Sequence, residues 1–216
     1  MKRVILTVVA GLLFGVGSAS AQPVPLFEEI GEKAGVRFVH STRKFGDRHK
    51  AQVLQMFTDG GAAVAVGDYN DDGFDDLFVV DSDEGKPHHL MRNNGDLTFT
   101  DVAVKLSVER GNDPLSICAD ALWFDYNNDG HLDLLIGRFG TPILYRNNGP
   151  GEEGAYSFTD ISKTTGLTKF GNTIAVIAFD ADNDGWLDLM LGNYFQPENL
   201  LDLTTPHVLP NNLDYA

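Results

Sequence analysis

The sequence predicts an all-β fold of about three similar four-stranded units, arranged as blades of a β-propeller segment. Three observations carry this. The nine-residue pattern Asp-x-(Asn/Asp)-x-Asp-Gly-x-x-Asp occurs three times, starting at Asp68, Asp125 and Asp180. Short apolar runs stand before and after each copy. Arg-Asn-Asn-Gly follows the first two copies at matching places, at Arg92 and Arg146. Self-similarity at a fixed period of tens of residues is the mark of a repeat architecture.

The chain opens on an export signal. Lys2 and Arg3 precede an apolar stretch from Val4 to Val16, and Ala19-Ser20-Ala21 supplies small residues at a cleavage site. Residues 1–21 are therefore read as a signal peptide and 22–216 as the mature chain. The apolar stretch is shorter than the ~20 residues that span a bilayer. Phe27-Glu28-Glu29-Ile30, leading to Ala34-Gly35-Val36, resembles the later Phe99-Thr100-Asp101-Val102 and Phe158-Thr159-Asp160-Ile161. It reads as the last strand of an incomplete first unit. The basic cluster of Arg43, Lys44, Arg48, His49 and Lys50, interrupted by Asp47, reads as a solvated loop.

Runs 62–66, 121–124 and 174–179 precede the three loops, and 77–80, 134–136 and 189–191 follow them. They are short and rich in β-branched and aromatic residues, as strands buried on both faces are. Asn94-Gly95 and Asn148-Gly149 are hairpin-turn pairs, because both residues tolerate positive φ. Each unit thus carries four strands. A β-solenoid is the alternative, but its coils are usually ~20–30 residues, shorter than these units. Closed propellers usually have ~4–8 blades. Three units make a partial or open arc, and residues 209–213 read as the approach to another unit. The missing blades of a longer chain, or a partner, would cover its ends.

Composition narrows the function. The net charge is −15, with 31 acidic against 16 basic residues. Such a chain repels nucleic acid and anionic membranes. Its one cysteine, Cys118, excludes an internal disulfide and sits in an apolar run, as a buried thiol does. An exported chain without bridges needs a large core, a metal, or both.

The loops suit a hard cation. Side chains at positions 1, 3 and 5 can face one centre, Gly at position 6 turns the backbone, position 7 offers a carbonyl, and the acid at position 9 closes the site. Oxygen ligands in that number suit Ca²⁺, whereas Mg²⁺ keeps more water. No Cys/His cluster points to zinc. An EF-hand would need Glu at position 12, where Val79, Ile136 and Leu191 stand. The first loop carries five acids, the second three and the third four, so the second is expected to bind least well. The plain alternative is a solvated Asp-Gly turn.

These loops and flanks resemble FG-GAP/VCBS repeats, the type that builds integrin α propellers. The order of units, with Ala34-Gly35-Val36-Arg37-Phe38-Val39-His40 ahead of Gly60-Gly61-Ala62-Ala63-Val64, is similar to the cartilage acidic protein and ASPIC/UnbV-type family. The resemblance implies about three Ca²⁺ sites. Their ligands would be Asp68, Asn70, Asp72 and Asp76; Asp125, Asn127, Asp129 and Asp133; and Asp180, Asp182, Asp184 and Asp188. The carbonyls of Phe74, His131 and Trp186 would complete them. Such proteins continue through more repeats and often a C-terminal ASPIC/UnbV domain, which this sequence does not contain.

The functional expectation is a secreted or periplasmic calcium-binding module that scaffolds a protein, cell-surface or glycan partner. The alternative is a calcium-dependent, lectin-like propeller. No Gly-x-Ser-x-Gly, P-loop or His-Glu-x-x-His pattern suggests an enzyme. His88-His89, His40 and His49 read as surface histidines, and Trp123 and Trp186 as packing between blades.

Overall fold

The computed structural model describes residues 27–45 and 61–194. The expected signal peptide and residues 209–213 lie outside this range. Unit one is a four-stranded antiparallel sheet of β1 (Val64–Gly67), β2 (Asp76–Val79), β3 (His89–Asn93) and β4 (Phe99–Asp101) in sequence order. Unit two repeats it with β5 (Ile117–Phe124), β6 (Asp133–Gly140), β7 (Ile143–Pro150) and β8 (Tyr156–Asp160). The described part of unit three is the hairpin of β9 (Gly171–Phe179) and β10 (Asp188–Asn193). A bridge of two residue pairs, Phe139 with Asn172 and Gly140 with Gly171, joins β6 to β9. The fold is all-β and propeller-like. One helical turn, α1 (Ala103–Leu106), follows β4.

The units stack face to face, which explains the nearly unbroken apolar runs. Ala65, Phe78, Val80 and Leu90 of unit one share a core with Ala121, Trp123, Leu134 and Ile136 of unit two. The opposite face of unit two, with Phe124, Leu135 and Leu144, packs on Val176, Ala178, Leu189 and Leu191 of unit three. Side chains alternate along a strand, so each central strand of unit two fills one seam with its even positions and the other with its odd. Phe78, Leu134, Leu135, Ile136 and Leu144 are fully buried; each such burial stabilises by about 1.5–3 kcal/mol. Small residues let the sheets approach. A Cβ on Gly137 would stand 2.7 Å from a Val176 methyl, and one on Gly67 2.9 Å from Leu132 Cδ1.

Several expectations need correction. Residues 27–36 form a turn and no strand. The Ala34 N–H donates to the Ile30 carbonyl (2.7 Å) and Val36 N–H to that of Gly31 (2.9 Å). The same turn follows β4, where Leu106 N–H donates to Val102 and Val108 N–H to Ala103. An acid starts each copy: Glu29, Asp101 and Asp160 accept the N–H two residues on, at 2.7, 3.1 and 3.0 Å. What the sequence repeats at Phe27 is this turn. Among the described residues no strand lies beside 27–30 to make it a sheet member.

Arg43 is not solvated. It is 3 % exposed, and its guanidinium donates to Glu84 and to the carbonyls of Asp113 (2.6 Å) and Ser116 (2.7 Å), pinning segment 36–45 across the first two units. Arg48, His49 and Lys50 lie outside the described residues. His88 is buried rather than on the surface, and Nδ1 accepts the Asp81 N–H (3.1 Å). His40, half-buried, bonds Ser82 Oγ (3.0 Å). The second Asn-Gly pair does not reverse the chain. It lies inside β7 at a bulge, and the reversal comes at Gly151–Ala155, closed by Gly151 N–H on the Ala155 carbonyl (2.8 Å).

Candidate metal centre

Each acidic loop connects the first two strands of its unit, so strands, not helices, flank it. Gly73, Gly130 and Gly185 have φ of 86°, 89° and 89°. An added Cβ at any of them would meet nothing within 4 Å, so the requirement for glycine is one of backbone conformation. The fourth residues, Asp71, Asn128 and Asn183, take φ of 53°, 54° and 61°, a region that Asn and Asp tolerate better than other side chains.

The three loops share one hydrogen-bond scheme. The position-1 carboxylate accepts the N–H groups of positions 5 and 6. For Asp68 these are Asp72 (3.1 Å) and Gly73 (2.8 Å), for Asp125 they are Asp129 (3.1 Å) and Gly130 (2.8 Å), and for Asp180 they are Asp184 (3.1 Å) and Gly185 (2.9 Å). The position-5 acids accept the N–H of Phe74, His131 and Trp186 at position 7. The position-9 acids reach back to position 2. Asp76 accepts the Tyr69 N–H (3.2 Å), Asp133 that of Tyr126 (3.0 Å), and Asp188 that of Ala181 (3.0 Å). Every loop is thereby closed on itself by its carboxylates at positions 1, 5 and 9.

Two details bear on a cation. In loop three, one oxygen from each of Asp180, Asp182 and Asp188 lies within 4.8 Å of the others. Three carboxylates this close repel one another unless a cation sits among them. In loop one, Asn70 Nδ2 donates to Asp72 Oδ2 (2.9 Å), while Asn70 Oδ1 is buried with no hydrogen-bond partner. A buried acceptor left unmade costs about 1–3 kcal/mol, and a metal bond would satisfy it. The residues present therefore fit a hard, oxygen-bound cation.

The position-9 acids differ in surroundings. Asp76 and Asp133 are fully buried. Burial pushes each carboxyl up to about 6, although backbone N–H groups of Asn93 and Tyr69, or of Tyr126 and Asn147, pull it down. The neighbouring position-5 and position-1 acids push in the same direction as burial.

Sequence reasoning missed the support behind these acids. The first Asn of each Arg-Asn-Asn-Gly supplies it, with Asn93 N–H donating to Asp76 Oδ1 (2.7 Å) and Asn147 N–H to Asp133 Oδ1 (2.8 Å). Fully buried Asn147 also donates through Nδ2 to the Tyr69 carbonyl of unit one (2.7 Å) and to that of Leu132 (3.1 Å). The recurrence of the motif behind loops one and two was the available signal.

Adjacent loops touch. Asp71 Oδ2 meets His131 Nδ1 (2.8 Å) and accepts from the Tyr156 hydroxyl (3.0 Å), and Asn128 Nδ2 donates to the Gly185 carbonyl (3.0 Å). Trp123 packs in the seam between units one and two as expected, 6.2 Å from the rings of Tyr69 and Phe78. Trp186 does not; it is exposed at the rim of loop three. Cys118 is fully buried, and burial pushes its thiol up to about 12, which leaves it inert.

Residues 125–191, spanning loops two and three, match the model of the FG-GAP-like repeat. Cartilage acidic protein 1 of Xenopus tropicalis is 31% identical over 143 residues, which are 65% of this chain and 20% of that protein. The matched stretch thus spans about one fifth of the relative's length. Loop one, outside the family match, carries the same hydrogen-bond scheme as loops two and three. Residues 125–191 are thus similar to FG-GAP-like repeats.

Proposed function

We propose that this chain is an exported calcium-binding repeat module that acts as a scaffold for a protein partner. The observation that carries the calcium reading is the convergence of Asp180, Asp182 and Asp188 in one loop. In each loop the acids or amides at positions 1, 3, 5 and 9 and the carbonyl at position 7 would hold the ion. The ion would neutralise the clustered carboxylates and tie the first two strands of each blade together. Extracellular modules of this kind bind Ca²⁺ at about 10⁻⁴–10⁻³ M. Repetition of one acid set at three places supports a structural role over a catalytic one.

Support for export comes from residues 1–21, with a basic start, an apolar middle and small residues at the end. Among the described residues no helix is long and apolar enough to cross a membrane. The scaffold reading draws on the FG-GAP-like match and the extended array of units.

Terbium luminescence tests the metal assignment. Tb³⁺ stands in for Ca²⁺ and is sensitised by Trp186 beside loop three. Emission should rise on Tb³⁺ addition, fall as Ca²⁺ displaces it, and drop by the share of one ion in the combined Asp180→Asn, Asp182→Asn, Asp188→Asn variant, because loops one and two keep their ligands. Equal emission from that variant would refute the loop-three assignment.

A further inference from the structure

A cleft of about 630 Å³ opens between units one and two, at the end of the strands opposite the acidic loops. Its walls are the β2–β3 connection at residues 85–87, the link from β4 to β5 at residues 109–113, and Arg138, Ile143, Tyr145 and Asp160 of unit two. Both units are described through all four strands, so neither open end of the array forms it. Two of its donors have nothing to bind. Tyr145 is 7 % exposed, and its hydroxyl has no hydrogen-bond partner among the described residues. Burial, and then the charge of Asp160, push that hydroxyl up to about 12, so it stays protonated and donates. Arg138 is fixed in place. Its Nε donates to the Thr141 carbonyl, and its Nη1 to the Gly111 carbonyl (2.7 Å) and Ser116 Oγ (3.0 Å), with Asp113 Oδ2 at 3.5 Å. Nη2 is left without a partner among the described residues.

We propose that this cleft binds a small organic carboxylate that carries a second hydrogen-bond donor, of the α-amino or α-hydroxy acid class. The carboxylate would take Arg138 Nη2 and the Tyr145 hydroxyl, because a bond from a guanidinium to a carboxylate is among the strong ones. The ammonium or hydroxyl would donate to Asp160, whose Oδ1 already accepts from Ser162 and whose Oδ2 is unused. The charges of the lining select this class. Three cations, Lys86, Arg110 and Arg138, stand beside three acids, Glu109, Asp113 and Asp160. Glu109 pairs with Arg110 (3.2 Å) and Asp113 with Arg138, while Lys86 pairs with none of the described acids. So balanced a lining repels a dianion such as a phosphate ester and accepts one negative charge accompanied by a donor. Ile143 and Pro87 supply apolar wall, and the volume falls within the ~300–1,000 Å³ of small-molecule sites. The site is separate from the acidic loops and independent of cation binding.

The test is saturation-transfer NMR on the full chain, with the common free L-amino acids, lactate and glycerate as probes at millimolar concentration. At least one probe should receive saturation from the protein, and the carboxamide of that probe should bind at least about tenfold more weakly. Tyr145→Phe removes only a hydroxyl that bonds nothing in the protein, so this variant should keep the wild-type melting curve. It should weaken the same probe about tenfold. Lys86→Ala, at an exposed position, should weaken it less. Silence from every probe with the wild type would overturn the proposal. Equal binding of the carboxamide would overturn it by removing the carboxylate from recognition, and undiminished binding to Y145F would place the probe elsewhere on the molecule.

Discussion

At the level of single residues, the loops combine groups that serve the fold with groups that serve nothing within it. Asn147 belongs to the first kind. Its amide donates to two carbonyls and its Oδ1 accepts the Gly149 N–H (3.1 Å), all in a buried setting. Asn147→Ala should cost about 2–4 kcal/mol in a urea denaturation, since it strands buried polar groups. Asn70 Oδ1 belongs to the second, because it has no partner, although Nδ2 of the same amide donates to Asp72. Asn70→Ala removes the unmade acceptor together with one exposed hydrogen bond, so metal-free stability should hold or rise by up to about 1–2 kcal/mol. It should weaken calcium binding at loop one several-fold, read by calorimetry. The sign of the pH dependence follows from burial. Asp76 and Asp133 stay protonated up to about 6 in the folded protein, above their ordinary 3.8. The metal-free fold therefore loses stability as pH rises from about 4 to about 6, and cation binding must displace those protons. Calcium affinity should fall about tenfold between pH 7 and pH 5, checked by titration at both. His88 acts the other way. Burial lowers it from 6.5 to about 4, so it makes the fold less stable as pH drops through that window. The carboxylates of the loops were legible in the sequence because their spacing repeats. The burial of Arg43 was not, because the carbonyls it binds, those of Asp113 and Ser116, come from a distant segment; nor was that of His88, whose partner Asp81 is only seven residues away but gives no periodic signal.

At the level of elements, the seams depend on close approach. Gly137 faces Val176 and Thr173 where β6 meets β9. Gly137→Val would drive a branched side chain into that seam and should destabilise by about 1–3 kcal/mol. Hydrogen exchange should show β9 and β10 losing protection first, with β1 to β4 unchanged. The four strands per unit were readable from short apolar runs and turn residues, and the observed order β1-β2-β3-β4 agrees. The chain reversal of unit two was not. Asn148-Gly149 has the composition of a tight turn, yet Asn147 is held by Asp133 and by unit one, and this displaces the reversal to Gly151–Ala155. Likewise Phe27-Glu28-Glu29-Ile30 has the residues of a closing strand, but pairing depends on a neighbour and composition does not supply one.

At the scale of the whole molecule, 31 acidic residues concentrate partly in three loops that line up along one rim and touch each other. An array of this kind has few contacts between sequentially distant units, so its cohesion comes from nearest-neighbour seams and from whatever neutralises the loops. The sequence made the number of loops and their chemistry plain. It left open which faces meet, because alternation assigns residues to faces without naming the opposing sheet. Calorimetric titration of the whole chain with Ca²⁺, paired with melting curves in calcium and in chelator, tests the central claim most directly. Calcium at about 100 times its Kd should add about 2.7 kcal/mol for each occupied site, or roughly 5–10 °C per site, with heats that fit about three sites and vanish with chelator. The absence of binding heat, together with identical melting curves in the two buffers, would contradict it.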